Sequence, residues 1–226
     1  MKYINALLGL LGVFSWIFAY VLITRRGLKD KTYGMPLIPL ALNLGWEFVF
    51  SFCFPLNLYS QVTNALWFFC DLGIVYTYFK YGYSSFNKFY GLEKKQWYFI
   101  SVFAFLIGFL INFLGYKFFS QYLNHFPSAE IPVLTAWLIL IATPVCMLAM
   151  FFQRRNSQGQ SFMIISIMLL GNFFFILQFF INPFYYKWSN PFLVLIITVS
   201  VVIELYYAKL LYKQLVKEGL NPWKRF

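Results

Sequence analysis

Long apolar segments separated by short polar connections dominate this chain. Each segment is close to the ~20 residues that an α-helix needs to cross the hydrocarbon core of a bilayer. The segments are 3–24, 35–54, 60–79, 97–117, 132–152, 161–182 and 190–211. The short alternating pattern of a membrane β-barrel is missing. The pattern therefore predicts an all-α polytopic membrane protein, in which residues 1–226 form a single bundle of seven transmembrane helices.

The connections between the segments are too short for a separate soluble domain. The longest polar stretch, Lys80–Gln96, is expected to be a loop. Composition agrees with a membrane protein, because 61% of the residues are hydrophobic and 11% are charged, against roughly 25% charged residues in soluble domains. We expect the lipid bilayer to be the main environment, in a bacterial inner membrane or in the eukaryotic endoplasmic reticulum.

The basic residues predict the orientation of the bundle. All eighteen Lys and Arg residues except Lys2, Lys117 and Lys187 lie in the first, third and fifth connections or at the C-terminal end. The positive-inside rule places these regions in the cytoplasm. The predicted arrangement is therefore N-terminus outside and C-terminus inside. Because the net charge of +11 clusters at segment ends and forms no continuous basic face, we expect no nucleic-acid partner.

Three of the seven acidic residues lie inside apolar segments: Glu47, Asp71 and Glu204. At 1.5 Å per residue, Glu47 and Asp71 are about 16 Å from the start of their helices, and Glu204 is about 20 Å from its start. A charged side chain at that depth costs about 2.5–3.5 kcal/mol on insertion scales, so each acid is a functional-site candidate. The structural alternative is that the acids only bond to buried donors and hold helices together.

Polar or aromatic side chains share a helical face with each acid. They are Asn43 with Glu47, Asn64 and Trp67 with Asp71, and Tyr207 with Glu204. Such stripes must face the interior of the bundle, because lipid cannot solvate them. Low dielectric favours the neutral form of a carboxylic acid, and a protonated acid at neutral pH is what a proton-donating catalyst needs. The three faces are therefore expected to converge on one apolar chamber.

Two strings of residues carry a family resemblance. They are Gly34-Met35-Pro36-Leu37 followed by Asn43 and Trp46-Glu47, and Leu66-Trp67 followed by Asp71 and Tyr81-Gly82. The chain resembles the integral-membrane terpene cyclases of fungal meroterpenoid and indole-diterpene pathways and their bacterial relatives. The resemblance implies a seven-helix enzyme that protonates an epoxide or alkene of a prenylated small molecule. It implies Glu47 and Glu204 as the essential acids, although the family is expected to carry Asp at the second position.

The types of acidic residue present also favour a cyclase that starts by protonation. The chain has no DDxxD-type cluster for ionising a diphosphate with magnesium, and no DxDD string. Cyclisation would start by protonation from isolated acids, with no metal and no cofactor. Aromatic faces then stabilise carbocations by about 2 kcal/mol or more each when desolvated. We expect Glu47, Glu204 and Asp71 as catalytic residues, and a substrate-binding set of Asn43, Trp46, Trp67, Asn64 and Tyr207.

The sequence is also compatible with other functions. Midplane acids also serve proton-coupled transporters or carriers, although no internal repeat is evident. A retinal protein needs a lysine near the middle of the last helix, whereas Lys209 lies near its cytoplasmic end. The basic residues Arg25, Arg26 and Lys80 either set topology or hold an anionic head group at the cytoplasmic mouth. For a cyclase, we expect a chamber closed on the outer side, entry from the lipid or the cytoplasmic leaflet, and no obligatory protein partner.

Overall fold

The computed structural model describes residues 2–122, 131–181 and 191–225, and every regular element in these ranges is helical. The helices are α1 (Lys2–Asp30), α2 (Leu37–Phe48), α3 (Leu58–Tyr90), α4 (Lys94–Tyr122), α5 (Ile131–Arg154), α6 (Phe162–Ile181) and α7 (Pro191–Lys217). Five of them, α1 and α4 to α7, are long and apolar enough to cross a membrane. The prediction of an all-α multi-pass membrane protein is confirmed at this level. The predicted end of the sixth segment at 182 and the predicted start of the seventh at 190 fall outside the described residues, as does Lys187.

Helix α2 is short and ends in an irregular turn. It begins after the extended Pro36 and continues without a break into a π-helical turn, Val49–Cys53. The apolar stretch Leu37–Cys53 is about 25 Å long, which is less than the ~30 Å hydrocarbon core. π-helical turns often occur at functional sites, and this one begins two residues after Glu47.

Helix α3 is much longer than the pattern of apolar residues indicated. Its 33 residues extend over about 50 Å. Asn57 caps its start by accepting from the Ser60 amide, while Ser60 Oγ accepts from the Asn57 amide. It ends at Gly91, which has a left-handed φ of 66°.

The expectation that Lys80–Gln96 forms a loop is wrong. Helix α3 continues to Tyr90 and α4 begins at Lys94, so Gly91–Glu93 alone separates them. The lysines of this stretch lie on helices that are longer than a bilayer requires. Hydropathy reports which part of a helix is apolar, and not where the helix ends.

Helix α2 is enclosed by α3, α4 and α5, while α1 packs between α3 and α6, and α7 packs on α5 and α6. The contact between α2 and α4 brings the two backbones together. A Cβ atom added at Gly45 would lie 2.6 Å from the backbone of Gly108, and one added at Gly108 would clash with the Ala41 carbonyl. The two glycines therefore fix α2, which carries Asn43 and Glu47, against α4.

We expect Gly108→Ala to lower the thermal stability of the detergent-solubilised protein, by the 1–3 kcal/mol typical of an overpacked contact. The control is Gly115→Ala in the same helix, where an added Cβ meets nothing within 4 Å. That control should leave the unfolding midpoint unchanged or raise it slightly, because Ala favours a helix over Gly by about 1 kcal/mol. Equal midpoints for the two variants would show that the α2–α4 contact is not tight.

Candidate active site

Two carboxylic acids meet inside the bundle. Glu47 of α2 and Asp71 of α3 are 1% and 0% exposed, and one side chain contacts both of them. Asn43, one turn before Glu47, places its Nδ2 atom 2.8 Å from Glu47 Oε1 and 2.9 Å from Asp71 Oδ2. One side-chain amide therefore bridges both carboxyl groups.

Among the described residues, no cation lies against this pair. The ion pairs seen there join Asp30 to Arg26 and Arg225, at the far end of α1. One oxygen of each acid, Glu47 Oε2 and Asp71 Oδ1, has no hydrogen-bond partner. Two adjacent buried carboxylates without a counter-charge repel each other and are costly to desolvate. The arrangement is stable only when the pair holds at least one proton.

Tyr20 of α1 completes the cluster. Its hydroxyl group donates to Glu47 Oε1 at 3.2 Å, and its oxygen is 2.6 Å from Asn43 Nδ2. Asn43 thus has three oxygen neighbours, but an amide group carries only two N–H donors. The three contacts are therefore not three full hydrogen bonds, and two of the oxygens share one N–H group.

The third acid belongs to a different chain of hydrogen bonds. Glu204 of α7 is 2% exposed, and its Oε2 accepts from Asn172 Nδ2 of α6 at 2.8 Å. The Oδ1 atom of Asn172 accepts from Trp16 Nε1 of α1 at 3.0 Å. The rings of Trp16 and Tyr20 pack edge to face, with centroids 5.6 Å apart. Helix α1 therefore links the site of Glu204 to the site of Glu47.

A cavity of about 380 Å³ lies beside both groups. Its walls are mainly aromatic and aliphatic, including Trp16, Trp46, Trp67, Phe50, Phe175 and Phe179, and its inner polar groups include Tyr20, Asn43, Asn64 and Thr143. None of the described side chains that line it is charged. A chamber of this kind suits a neutral, largely apolar molecule with few polar groups.

The cavity extends toward the end of the bundle where α2 turns into α3. Leu56, Asn57 and Ser60 line it there, together with Val133 near the start of α5 and Gln178 near the end of α6. This end is opposite to the one that carries the basic residues of the first and third connections. In the predicted orientation the cavity therefore extends toward the outer side, where the sequence led us to expect a closed chamber.

The basic residues named for an anionic head group do not line the cavity. Arg26 bonds to Asp30, and Lys80 bonds to the Tyr76 hydroxyl.

The residues singled out from the sequence fall into two groups. Asn43, Trp46, Asn64 and Trp67 line the cavity, whereas Glu47, Asp71 and Glu204 lie behind its wall. Tyr207 is fully buried and bonds to Gln160, away from the cavity lining.

Both tryptophans are fixed by their indole nitrogens. Trp46 Nε1 donates to the Pro132 carbonyl at 3.0 Å, and Trp67 Nε1 donates to the Val13 carbonyl at 3.3 Å. Their ring centroids are 6.3 Å apart. The two indoles therefore present a fixed aromatic surface to the cavity.

Sequence reasoning missed Tyr20, Trp16 and Asn172. The positions of these residues in the sequence indicate a functional role only weakly. Trp16 and Tyr20 are one helical turn apart in the first apolar segment, and Asn172 is an amide inside the sixth. Neutral polar side chains of this kind are common at helix–helix contacts in membranes, so only the packing of α1 against α3 and α6 reveals their partners.

A second polar cluster fastens the C-terminal tail, remote from the cavity. Asp30 accepts from Arg225 Nη2 at 2.9 Å and from the Gly159 amide at 2.8 Å. Glu218 accepts from the Ser157 amide at 3.0 Å. Partial burial raises the pKa of Glu218, but hydrogen bonds from Ser157 and Gln214 outweigh it and hold the pKa below its usual range. This tether is therefore strongest above the ordinary pKa of a glutamate and weakens as the pH falls through the lowered value.

Metal ligands are not grouped in the described parts of the chain, where no three His, Cys, Asp or Glu side chains are placed to hold an ion.

Comparison with known proteins shows the family of the chain. A model of the Pyr4-like transmembrane terpene cyclases matches residues 1–216. The Pyr4-family terpene cyclase mfmH of Annulohypoxylon moriforme is 30% identical over 206 residues, which cover 87% of this chain and 78% of that protein. Terpene cyclase ascF of Acremonium egyptiacum is 37% identical over 71 residues, or 31% of this chain and 26% of that protein. Terpene cyclase pyr4 of Aspergillus fumigatus is 34% identical over 68 residues, or 30% and 28%. The chain belongs to the family of Pyr4-like transmembrane terpene cyclases.

Proposed function

We propose that this terpene cyclase protonates an epoxide or alkene of a prenylated small molecule, and that Glu47 is the acid that starts the reaction. The observation that carries the proposal is the buried Glu47–Asp71 pair, which has no counter-cation in the described parts of the chain and lies next to an apolar cavity. A carboxylic acid held neutral by its surroundings acts as a general acid at neutral pH. Asp71 assists by sharing the proton of the pair, and Asn43 stabilises the carboxylate that remains after transfer.

The cavity supports a substrate with an uncharged head group. The described lining has no Lys or Arg side chain to hold a phosphate or a diphosphate. The prenyl chain occupies the part lined by Trp16, Trp46 and Trp67, whose ring faces stabilise the carbocation as it moves through successive ring closures. The head group lies toward the polar side chains of Asn57 and Gln178. Exclusion of water by the apolar walls keeps the cation from being trapped early.

Glu204 has a different role in this proposal. The family resemblance implies a catalytic acid at this helix, but the hydrogen bonds of Glu204 reach the cavity only through Asn172 and Trp16. An amide nitrogen and an indole nitrogen donate hydrogen bonds and do not accept protons. We therefore assign Glu204 to holding Trp16 against the cavity, where its ring stabilises a carbocation.

The carrier reading loses its support once the family is known, because the relatives are named as terpene cyclases. Their fungal origin favours the endoplasmic reticulum over a bacterial inner membrane for this protein. Membranes that contain the protein should convert an epoxidised prenyl arene into a product of the same mass, and should not convert prenyl phosphates. A panel that also includes prenyl alcohols tests this, and failure to cyclise any neutral prenyl compound would contradict the proposal.

We also propose that α2 with its π-helical turn and α3 cross the membrane, which gives seven spans with the N-terminus outside. The distribution of basic residues supports this orientation. A reporter fused after residue 226 should be active only in the cytoplasm, and the same reporter fused before residue 1 only on the far side. A single cysteine introduced at Asn57 should react with an impermeant thiol reagent from the far side. Labelling from the cytoplasm would contradict this topology.

A further inference from the structure

We infer that the hydroxyl group of Tyr20 carries the proton from Glu47 into the cavity, so that Tyr20 is the residue that gives the proton to the substrate. This inference rests on the proposed cyclase function and deepens it. It starts from a simple geometric fact: the carboxyl group proposed as the acid does not line the chamber in which the substrate must react.

The wall between acid and cavity consists of two polar side chains. Tyr20 and Asn43 both line the cavity, and both are bonded to Glu47 Oε1, at 3.2 Å and 2.8 Å. Among the described lining residues, these two alone have a hydrogen bond to the carboxyl group of Glu47 or Asp71. A proton that leaves the acid pair for the cavity must therefore pass one of them or wait for the pair to move.

Chemistry selects the tyrosine. A phenolic hydroxyl group has one donor and acceptor lone pairs, so it can accept a proton on one side and give one on the other. The amide nitrogen of Asn43 only donates, so Asn43 positions both acids and stabilises the carboxylate. The path from Glu204 contains two such donor-only nitrogens, on Asn172 and Trp16. In this structure one acid site is connected to the cavity by a group that can relay a proton, and it is the site of Glu47.

The transfer balances as follows. The Tyr20 hydroxyl first turns its hydrogen from Glu47 Oε1 toward the substrate, so that the protonated Glu47 carboxyl group donates to the Tyr20 oxygen. The O–H bond of Tyr20 then breaks as its proton binds the epoxide oxygen or an alkene carbon, and Tyr20 takes the proton of the Glu47 carboxyl group. Glu47 is left as a carboxylate that accepts from Asn43. On the substrate, the epoxide C–O bond breaks, or the alkene electron pair forms the new C–H bond, which leaves a carbocation. The final cation gives a proton to the Tyr20 oxygen, and Tyr20 passes its own proton to the Glu47 carboxylate. This restores the acid, so substrate and product are isomers.

The test begins with Tyr20→Phe, which keeps the ring and removes the hydroxyl group. Turnover number should fall by about 10² or more, the scale of general acid catalysis, while KM changes by less than about threefold because the cavity keeps its shape. The matched control is Tyr78→Phe, which removes a buried hydroxyl group bonded to Ser101 and Trp97 but absent from the cavity lining. That control should turn over at the wild-type rate, within about threefold.

A second measurement decides the matter if Tyr20→Phe fails to fold. Mono-, di- and trifluorotyrosine at position 20 keep the hydroxyl group and make it progressively more acidic. A relay predicts that the turnover number changes steadily with the number of fluorine atoms at position 20 and not at position 78. No dependence at position 20, or a Tyr20→Phe enzyme with wild-type turnover, would overturn the relay alone. A wild-type protein that cyclises no neutral prenyl compound would overturn the proposed function and the relay with it.

Discussion

Glu47→Gln should lower the turnover number by about 10² or more, with little change in the amount of folded protein. Glutamine preserves the shape of the side chain and can still accept from Asn43 and Tyr20, but it has no transferable carboxyl proton. The expected loss is the scale of general acid catalysis. The measurement is the rate of product formation by the purified enzyme in detergent, at saturating substrate.

Two variants serve as controls for this loss. Glu93→Gln changes an exposed acid between α3 and α4 and should keep wild-type turnover. Asp71→Asn keeps an oxygen that accepts from Asn43, so it should cost less than Glu47→Gln. A well-folded Glu47→Gln enzyme with near-normal product formation would remove Glu47 from the role of initiating acid.

The second large effect concerns the hydrogen-bond chain that ends at Trp16. Asn172→Leu removes the acceptor of the Trp16 indole and the donor to Glu204. If the Trp16 face contributes about 2 kcal/mol to carbocation stabilisation, its displacement should lower turnover about thirtyfold. Early-quenched, less cyclised products should increase, because the cation is less well shielded.

Glu204→Gln distinguishes positioning from acid catalysis at this site. The glutamine oxygen still accepts from Asn172, so the chain to Trp16 survives and turnover should fall by less than about tenfold. Glu204→Leu breaks the chain and should match Asn172→Leu. A Glu204→Gln enzyme as inactive as Glu47→Gln would show that Glu204 supplies or removes a proton itself.

Much of the fold was accessible from the sequence because bilayer thickness sets the length of apolar runs. The regions of all seven predicted segments contain helices within the described residues. The errors concern polar ends. The charges in Lys80–Gln96 led to the prediction of a loop. Helix α3 nevertheless continues to Tyr90, beyond the end of its apolar segment at residue 79. The pattern of apolar residues also did not predict that α2 is short or that it ends in a π-helical turn. The residues of that turn, Val49–Cys53, are mostly apolar like the helix before it.

The acids of the candidate site were visible in the sequence because charge in an apolar segment is rare and costly. Their partners were not visible. The spacing of Asn43 and Glu47 indicates a shared face on α2, but it does not reveal that the same amide also reaches Asp71. Tyr20 and Asn172 come from helices whose packing the sequence does not report. The separation of Glu204 from the Glu47–Asp71 pair likewise depends on how α1 lies between α3 and α6.

The central claim is that cyclisation starts by proton transfer from the Glu47 site and needs no metal. The most direct test is product formation by purified wild-type and Glu47→Gln enzymes from an epoxidised prenyl arene, with excess EDTA and then with added magnesium. The account predicts full wild-type activity in EDTA, no gain from magnesium, and a loss of about 10² or more in Glu47→Gln under both conditions. Wild-type activity abolished by EDTA and restored by magnesium would contradict it.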